Sequence, residues 1–138
     1  MRAGTFLAII EEIKHENTVH ELSVAQNIID LVLRHVPAEE CGRVHAVRLK
    51  VGAAAGIVPD SLEFSFAAIA PESPLRNAHL EIIRVPFRVR CNACGTTEEN
   101  ELGTALCARC GSGDTAVLSG TELHVTEIEI AEPAEAAS

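Results

Sequence analysis

CNACGTTEENELGTALCARCG, residues 91–111, carries the most specific pattern of this chain, because it contains two Cys-x-x-Cys-Gly segments. Cys91 and Cys94 form the first pair, Cys107 and Cys110 form the second, and 12 residues separate the pairs. Two residues between thiolates let one turn direct both sulfurs at a single ion, and the following glycine tolerates a positive φ. Two such turns supply four sulfurs, the ligand set of tetrahedral zinc with bonds of about 2.3 Å.

Two other interpretations of the cysteines remain open. A redox dithiol needs only one pair and usually follows a strand of a thioredoxin-like unit. Iron is compatible with four thiolates, since the ligand set alone does not distinguish it from zinc. Spacing and ligand type favour zinc. Four thiolates leave no position for a substrate, so the predicted zinc is structural and stabilises a segment with little apolar content of its own.

Length, composition and charge limit what the rest of the chain can be. The chain has 138 residues, 47% of them apolar, which suits one globular domain or one domain with a small appendage. It carries 11 Lys and Arg against 20 Asp and Glu, a net charge of −9, which argues against nucleic acid and anionic membranes as partners and suits a cationic ligand. No apolar run reaches the roughly 18 residues of a membrane span, and Thr5–Ile10 is too short for a signal peptide. Paired cysteines without a signal peptide predict a cytoplasmic protein.

Two helices are predicted upstream of the cysteines. The first begins at Thr18, whose spacing from Glu21 is that of a capping box, and ends before Pro37. The second begins at Pro59 and ends at Pro71. Apolar residues at helical spacing predict the buried sides: Leu22, Ala25, Ile28, Ile29, Val32 and Val36 in the first helix, and Leu62, Phe66 and Ile69 in the second.

Three strands are predicted around these helices. Alternation from Val44 to Val51 predicts the first, and Ala78–Arg90 predicts a long second strand in which Pro86 marks an edge or a bulge. Glu122–Ile130 is the third, and its apolar phase slips between Val125 and Ile128, which indicates a bulge. The fold class is therefore α+β: a small mixed three-stranded sheet with two helices, plus an inserted zinc-ribbon module.

The predicted organisation has four parts. Residues 1–18 are an N-terminal extension with a weak pattern, compatible with a short helical segment. Residues 19–90 and 120–130 form the α+β domain, residues 91–119 form the zinc-binding ribbon, and residues 131–138 form a disordered tail.

Four segments together resemble the HypA/HybF family of nickel chaperones for [NiFe]-hydrogenase maturation. They are Val19–Asn27 (VHELSVAQN), Val51-Gly52, Pro59-Asp60-Ser61-Leu62 and the paired cysteine turns. The resemblance covers about residues 19–130. The cysteine spacing alone is not specific, but its combination with His-Glu-Leu-Ser at a helix start is.

The resemblance implies a nickel metallochaperone that delivers nickel for hydrogenase maturation. No enzyme activity is expected from the sequence, which lacks a phosphate-binding Gly-rich loop, a nucleophile elbow and an open metal site. It places nickel on His20, with Glu21 beside it and Asp60 at an acidic position found near the nickel site in some members. The implied zinc ligands are Cys91, Cys94, Cys107 and Cys110. The implied partners are a HypB-type GTPase and the hydrogenase large-subunit precursor, with no nucleic acid and no membrane. Nickel(II) favours nitrogen donors, which agrees with a histidine ligand.

Each of these residues also has an ordinary structural explanation. Glu21 completes the capping box, and Asp60 suits the positive end of the second helix. Cys41 is expected to be a small buried residue or an idle thiol. The other histidines lack metal-ligand spacing and are expected to be solvated or on strand faces: His15, His35, His45, His79 and His124.

Two other function classes stay open. A zinc-ribbon protein-interaction module without nickel binding is the alternative, although the ribbon carries Glu98, Glu99 and Glu101 and has no aromatic residue. A thiol redox protein is the third class, and it would require titratable thiols in the zinc-loaded protein.

The chain departs from the family pattern at its start. Family members begin with Met-His-Glu, whereas Val19 stands at the methionine position here and 18 residues precede it. If these residues are translated, no α-amine lies beside His20. A GTG codon encodes valine internally but starts translation with methionine in bacteria, so Val19 as the true start is a hypothesis that the codon at position 19 tests.

Overall fold

The computed structural model describes residues 4–13, 21–100 and 103–132. Strands and helices follow one another along these residues, with short 3-10 helices at Ala38–Arg43 and Ala70–Glu72. The order is β1 (Gly4–Glu12), α1 (Glu21–His35), β2 (Val44–Gly52), α2 (Pro59–Ile69), β3 (His79–Val85), β4 (Phe87–Cys91), β5 (Thr97–Asn100), β6 (Thr115–Ser119) and β7 (Leu123–Ala131).

The larger sheet has four strands in the order β1-β7-β2-β3, not the three predicted. It is mixed, as predicted: β2 and β3 are parallel, while β7 is antiparallel to both β1 and β2. The additional strand is β1, so the predicted helical character of residues 1–18 is wrong over Gly4–Glu12. Tertiary pairing with β7 satisfies the backbone of a segment whose own pattern is weak.

Both helices pack their apolar sides on one face of this sheet. Five members of the predicted α1 stripe are buried, but Leu22, in the first turn, is 53% exposed. Leu62 and Phe66 are the buried residues of α2. The core lies between these helices and the inward residues of the strands, among them Val47, Leu49, Val51, Val125 and Ile128.

A bulge in β7 confirms the predicted phase slip. The register of β7 against β2 passes from Arg48–Glu127 to Leu49–Val125, so Thr126 is the extra residue. The register against β1 also shifts at this point, between Ala8 and Glu11, but there the additional residue lies on β1. One additional residue returns both Val125 and Ile128 to the core side, where neither is exposed.

The predicted long strand 78–90 is two strands in two different sheets. It breaks at Pro86, which has no N–H to donate to a ladder and whose carbonyl accepts a hydrogen bond from the Ser119 hydroxyl. β3 is an edge strand of the larger sheet, whereas β4 is the central strand of a smaller antiparallel sheet of order β5-β4-β6. β5 and β6 were not predicted. The smaller sheet begins at Phe87, four residues before the first cysteine.

Two glycines allow the sheets to approach each other. A Cβ on Gly52 would lie 2.1 Å from the Gly120 carbonyl carbon, and one on Gly120 would lie 2.4 Å from the Phe87 Cα. Gly120 also has a φ of +111°. Only glycine fits this junction without displacing backbone.

Several expectations fall outside the described residues. These are the Thr18 cap, His15, His20 and Val19, and the tail beyond Glu132. Within the described part of the chain, no helix is long and apolar enough to cross a membrane.

Candidate metal centres

The four cysteines meet at one point of the smaller sheet. Cys91 ends β4, and the other three lie in the turns that follow β4 and precede β6. The Cys91 and Cys110 sulfurs are 3.6 Å apart, and those of Cys94 and Cys107 are 3.8 Å apart. A tetrahedron with metal–sulfur bonds of about 2.3 Å has edges of about 3.8 Å. The spacing of the sulfurs therefore fits a single zinc ion.

Backbone amides complete this site. The Cys94 amide lies 3.4 Å from the Cys91 sulfur, and the amides of Arg109 and Cys110 lie 3.3 and 3.4 Å from the Cys107 sulfur. The glycines after each pair have φ values of +78° and +79°, which confirms the conformation predicted for them. These N–H groups stabilise thiolate charge, as outer-shell partners do in metal sites.

The thiols differ in their readiness to ionise. A hydrogen bond with the Thr96 hydroxyl, 3.2 Å away, and one from the Thr96 backbone lower the pKa of Cys94 to about 6. The Ser112 backbone lowers the pKa of Cys110, but the neighbouring thiols and burial outweigh it and raise that pKa to about 12. Ionisation of all four thiols is therefore opposed by the charge of their neighbours, and a bound dication compensates that charge.

This cluster stands alone in the described part of the chain. Nowhere else there do three or more His, Cys, Asp or Glu donor atoms lie within 4.8 Å of one another. Two of the cysteines, Cys91 and Cys107, are buried. All four positions of the cluster are protein ligands, so zinc held there is closed to substrates and supplies stability rather than chemistry.

The second candidate site lies where the first turns of the two helices meet. α1 begins at Glu21, and its carboxylate accepts a hydrogen bond of 3.1 Å from the Val58 amide, immediately before α2. The carboxylate therefore joins one helix start to the other, a contact that the predicted capping box did not include. Val58 is the N-cap of α2 and makes no side-chain cap of its own.

Asp60 lies in the first turn of α2, as predicted, and has a partner that was not predicted. Its Oδ1 accepts a hydrogen bond of 3.0 Å from Arg84 on β3. The side chains are 85% and 66% exposed, and such pairs contribute little to stability. The Asp60 carboxylate is therefore available to another cation.

His20, the residue that precedes Glu21, lies outside the described residues. The structure thus brings the helix starts that carry Glu21 and Asp60 together but does not describe the predicted nickel ligand itself. Cys41, by contrast, is buried in the α+β core, and burial raises the pKa of its thiol. The prediction of a small buried residue is confirmed.

Comparison with known proteins gives one consistent result. Residues 19–130 match the family described as "Hydrogenase/urease nickel incorporation, metallochaperone, hypA". The chain is similar to the hydrogenase maturation factor HypA of Desulfatibacillum aliphaticivorans, with 36% identity over 85% of this chain and 91% of that one. It is also similar to HypA of Chlorobium phaeobacteroides, with 38% identity over 81% of this chain and 99% of that one.

A solved structure shares the fold. The solution structure of the nickel metallochaperone HypA from Helicobacter pylori superposes with a TM-score of 0.55 at 22% identity, over 81% of this chain and 97% of that one. β1 lies outside the family match, which begins at residue 19. The match covers both helix starts and all four cysteines, and the chain belongs to the HypA family of hydrogenase and urease nickel-incorporation metallochaperones.

Proposed function

We propose that this protein is a nickel metallochaperone that binds Ni(II) at the start of α1 and delivers it for maturation of [NiFe]-hydrogenase. The observation that carries this proposal is the family match over residues 19–130, which includes His20 and Glu21. The imidazole of His20 would be the principal nickel ligand, because nickel(II) favours nitrogen donors.

Two carboxylates support a dication at this position. A helix start carries positive partial charge, which opposes a metal ion. Here two such starts are adjacent, and each has a carboxylate in its first turn, Glu21 on α1 and Asp60 on α2. We propose that they neutralise the two helix ends and attract the ion. The Asp60–Arg84 pair is exposed, so Arg84 can release the carboxylate to nickel and recover it when nickel leaves.

Two parts of the chain would bind different metals. Residues 19–90 and 120–130 would bind the transported nickel, and residues 91–119 would hold one structural zinc on the four cysteines. The partners that this role implies are a HypB-type GTPase and the hydrogenase large-subunit precursor, encountered in the cytoplasm. The closed thiolate shell and the absence of catalytic motifs in the sequence favour a carrier over an enzyme.

Nickel titration of the zinc-loaded full chain tests the proposal. We expect His20→Ala to weaken nickel binding at this site at least tenfold, with zinc unchanged at one per chain. We expect Glu21→Gln and Asp60→Asn to weaken it less, because they remove attraction rather than the principal ligand. Calorimetry gives the affinities and metal analysis gives the zinc content.

His124→Gln is the matched control. It removes an imidazole from β7, which is not at either helix start, and should leave nickel affinity unchanged. If His20→Ala binds nickel as the parent chain does, the zinc-ribbon interaction module becomes the better description. A chain starting with Met at position 19 adds a second comparison: tighter binding there would indicate that the α-amine is a ligand.

A further inference from the structure

The face of the larger sheet opposite the helices carries two histidines on adjacent strands. We call it the outer face; it bears Arg48, Glu81, Glu127 and Glu129. His45 lies on β2 and His79 begins β3, and their ring centroids are 6.1 Å apart with the ring planes 44° from parallel. Their side chains are 49% and 59% exposed, so both rings can meet a solute and adjust to it.

A carboxylate lies beside each imidazole. The Nε2 atom of His79 is 2.9 Å from Oε2 of Glu81, and the Nε2 atom of His45 is 3.7 Å from Oε2 of Glu129. The 2.9 Å contact is a hydrogen bond, and a carboxylate that accepts one ring N–H fixes the tautomer and leaves the other ring nitrogen of His79 as a lone-pair donor. Metal-binding histidines are usually oriented in this way. The 3.7 Å contact of His45 is longer than a hydrogen bond, so this ring is free to turn.

Arg48 anchors both carboxylates by their remaining oxygens. Its guanidinium donates to Oε1 of Glu81 at 2.7 Å and to Oε1 of Glu129 at 2.9 Å, and it also contacts Glu127 at 3.4 Å. In both Glu81 and Glu129, one carboxylate oxygen thus binds Arg48 while the other lies beside a histidine.

The net charge of this cluster favours a dication. Three carboxylates and one guanidinium sum to −2 when the imidazoles are neutral. The guanidinium hydrogen-bonds to the carboxylates, and its side chain is only 22% exposed. An ion approaching the imidazoles from solvent therefore meets a negative surface.

We propose that His45 and His79 together bind one divalent transition-metal ion, of the Ni²⁺, Cu²⁺ or Zn²⁺ class, on the outer face. With a metal–nitrogen bond of about 2.0–2.1 Å, each ring centroid stands about 3.2 Å from a shared ion, so two rings can share one ion at centroid separations up to about 6.4 Å, and the observed 6.1 Å lies within that limit. Imidazole is a ligand common to these metals. Water completes the shell, so this ion is exchangeable, unlike zinc on four thiolates.

This site is independent of the proposed nickel site at the start of α1. Its residues lie on β2, β3 and β7, and the inference depends on their geometry and not on His20. From the sequence, His45 and His79 are expected to be solvated or strand-face residues, because no metal-ligand spacing connects them. Parallel pairing of β2 with β3, in the register Ala46–His79, brings them together.

The test uses the zinc-loaded full chain carrying His20→Ala, titrated with NiCl₂. We expect one further equivalent of nickel to bind, with paramagnetic broadening of the His45 and His79 ring resonances in NMR spectra. Adding His45→Gln or His79→Gln should weaken this binding more than about tenfold. Adding Glu81→Gln should weaken it about tenfold, the effect of losing an outer-shell carboxylate.

His124→Gln is again the matched control, since His124 is paired in register with Lys50, a cation, on the same sheet. It should leave both binding and broadening unchanged. The imidazoles of His45, His79 and His124 are at least partly exposed, and the cooperative unfolding transition of the α+β domain verifies that each variant is folded. The inference is overturned if the His20→Ala chain binds no nickel, or if binding persists when both His45 and His79 are replaced. Whether His20 binds nickel is decided separately, by the difference in nickel binding between the parent chain and the His20→Ala chain.

Discussion

The α+β domain and the cysteine ribbon are stabilised by different means. The domain buries a continuous apolar core that joins both helices to all four strands of the larger sheet. The ribbon buries few residues, and two of them, Cys91 and Cys107, belong to the four-cysteine cluster whose geometry fits a zinc ion. Exposed apolar residues of the ribbon, Leu106, Val117 and Leu118, are not drawn into a core. Burial therefore stabilises one region, whereas the other has, in place of a large apolar core, a four-cysteine cluster suited to a metal ion.

This difference has a consequence for the chain as a whole. The ribbon is inserted between β3 and β7, which belong to one sheet, so its two ends are held by the domain. The close contacts of Gly52, Gly120 and Phe87 lie where the two regions meet. The domain can thus keep its core when the ribbon loses its metal, whereas loss of the domain core releases both ends of the ribbon.

Loss of one zinc ligand should have the largest effect. We expect Cys107→Ser to abolish stable zinc binding and unfold the ribbon, because structural zinc contributes about 10 kcal/mol or more to the folding of such modules. The α+β domain should keep its cooperative unfolding transition. Metal analysis measures the zinc, and limited proteolysis with mass spectrometry should locate new cleavage between Phe87 and Ser119.

Cys41→Ala provides the control for this substitution. Cys41 is a buried cysteine of the α+β core and is not near the zinc site, so zinc should stay at one per chain. If Cys107→Ser also loses the unfolding transition of the α+β domain, the two regions fold as one unit and are not stabilised separately.

Truncation of a core residue should have a smaller effect in the other region. Leu49, on the central strand β2, is fully buried, and Leu49→Ala should cost about 2–5 kcal/mol of unfolding free energy. Ile83→Ala, on the neighbouring strand but with Ile83 48% exposed, should cost under about 0.5 kcal/mol. Denaturant unfolding measures both. Equal costs for the two substitutions would contradict the assignment of the core to the helix-bearing face.

Local patterns predicted much of the fold, and tertiary pairing decided the rest. The cysteine spacing and the α1 stripe are local: the four sulfurs meet as predicted, and the stripe is buried except at Leu22. β1 was missed because its pairing partner, β7, is more than 100 residues away and its own pattern is weak. The break at Pro86 was recognised as a disturbance but not as the boundary between two sheets, since alternation continues on both sides of it.

The candidate sites show the same limit. Cys91, Cys94, Cys107 and Cys110 are predictable because each pair is set by one turn. The Glu21–Val58 and Asp60–Arg84 contacts were not predictable, because they join residues that are 37 and 24 positions apart in the sequence and lie on different elements. His45 and His79 meet only through the parallel crossover from β2 to β3, and no spacing rule connects them.

The smallest predicted effect concerns how β1 is attached to the rest of the domain. Glu11 on β1 lies 2.6 Å from His35 and 2.9 Å from Arg34 at the end of α1. These hydrogen bonds hold the pKa of Glu11 below its ordinary value of 4.5. Because the folded pKa is lowered, the stabilisation is present above about pH 4.5 and is lost as the pH falls through the folded value.

We therefore expect Glu11→Gln to be slightly less stable than the parent chain at pH 7, with the difference disappearing as the pH falls below 4.5. Denaturant unfolding at a series of pH values measures it, and Glu12→Gln, one residue further along β1, is the matched control. A difference that stays constant down to pH 3 would mean that the carboxylate charge does not hold β1 to α1. In that case backbone pairing with β7 and the packing of Leu7, Ile9 and Ile13 on the core must suffice. β1 would then be held in the larger sheet by backbone pairing and burial alone, without a specific ion pair.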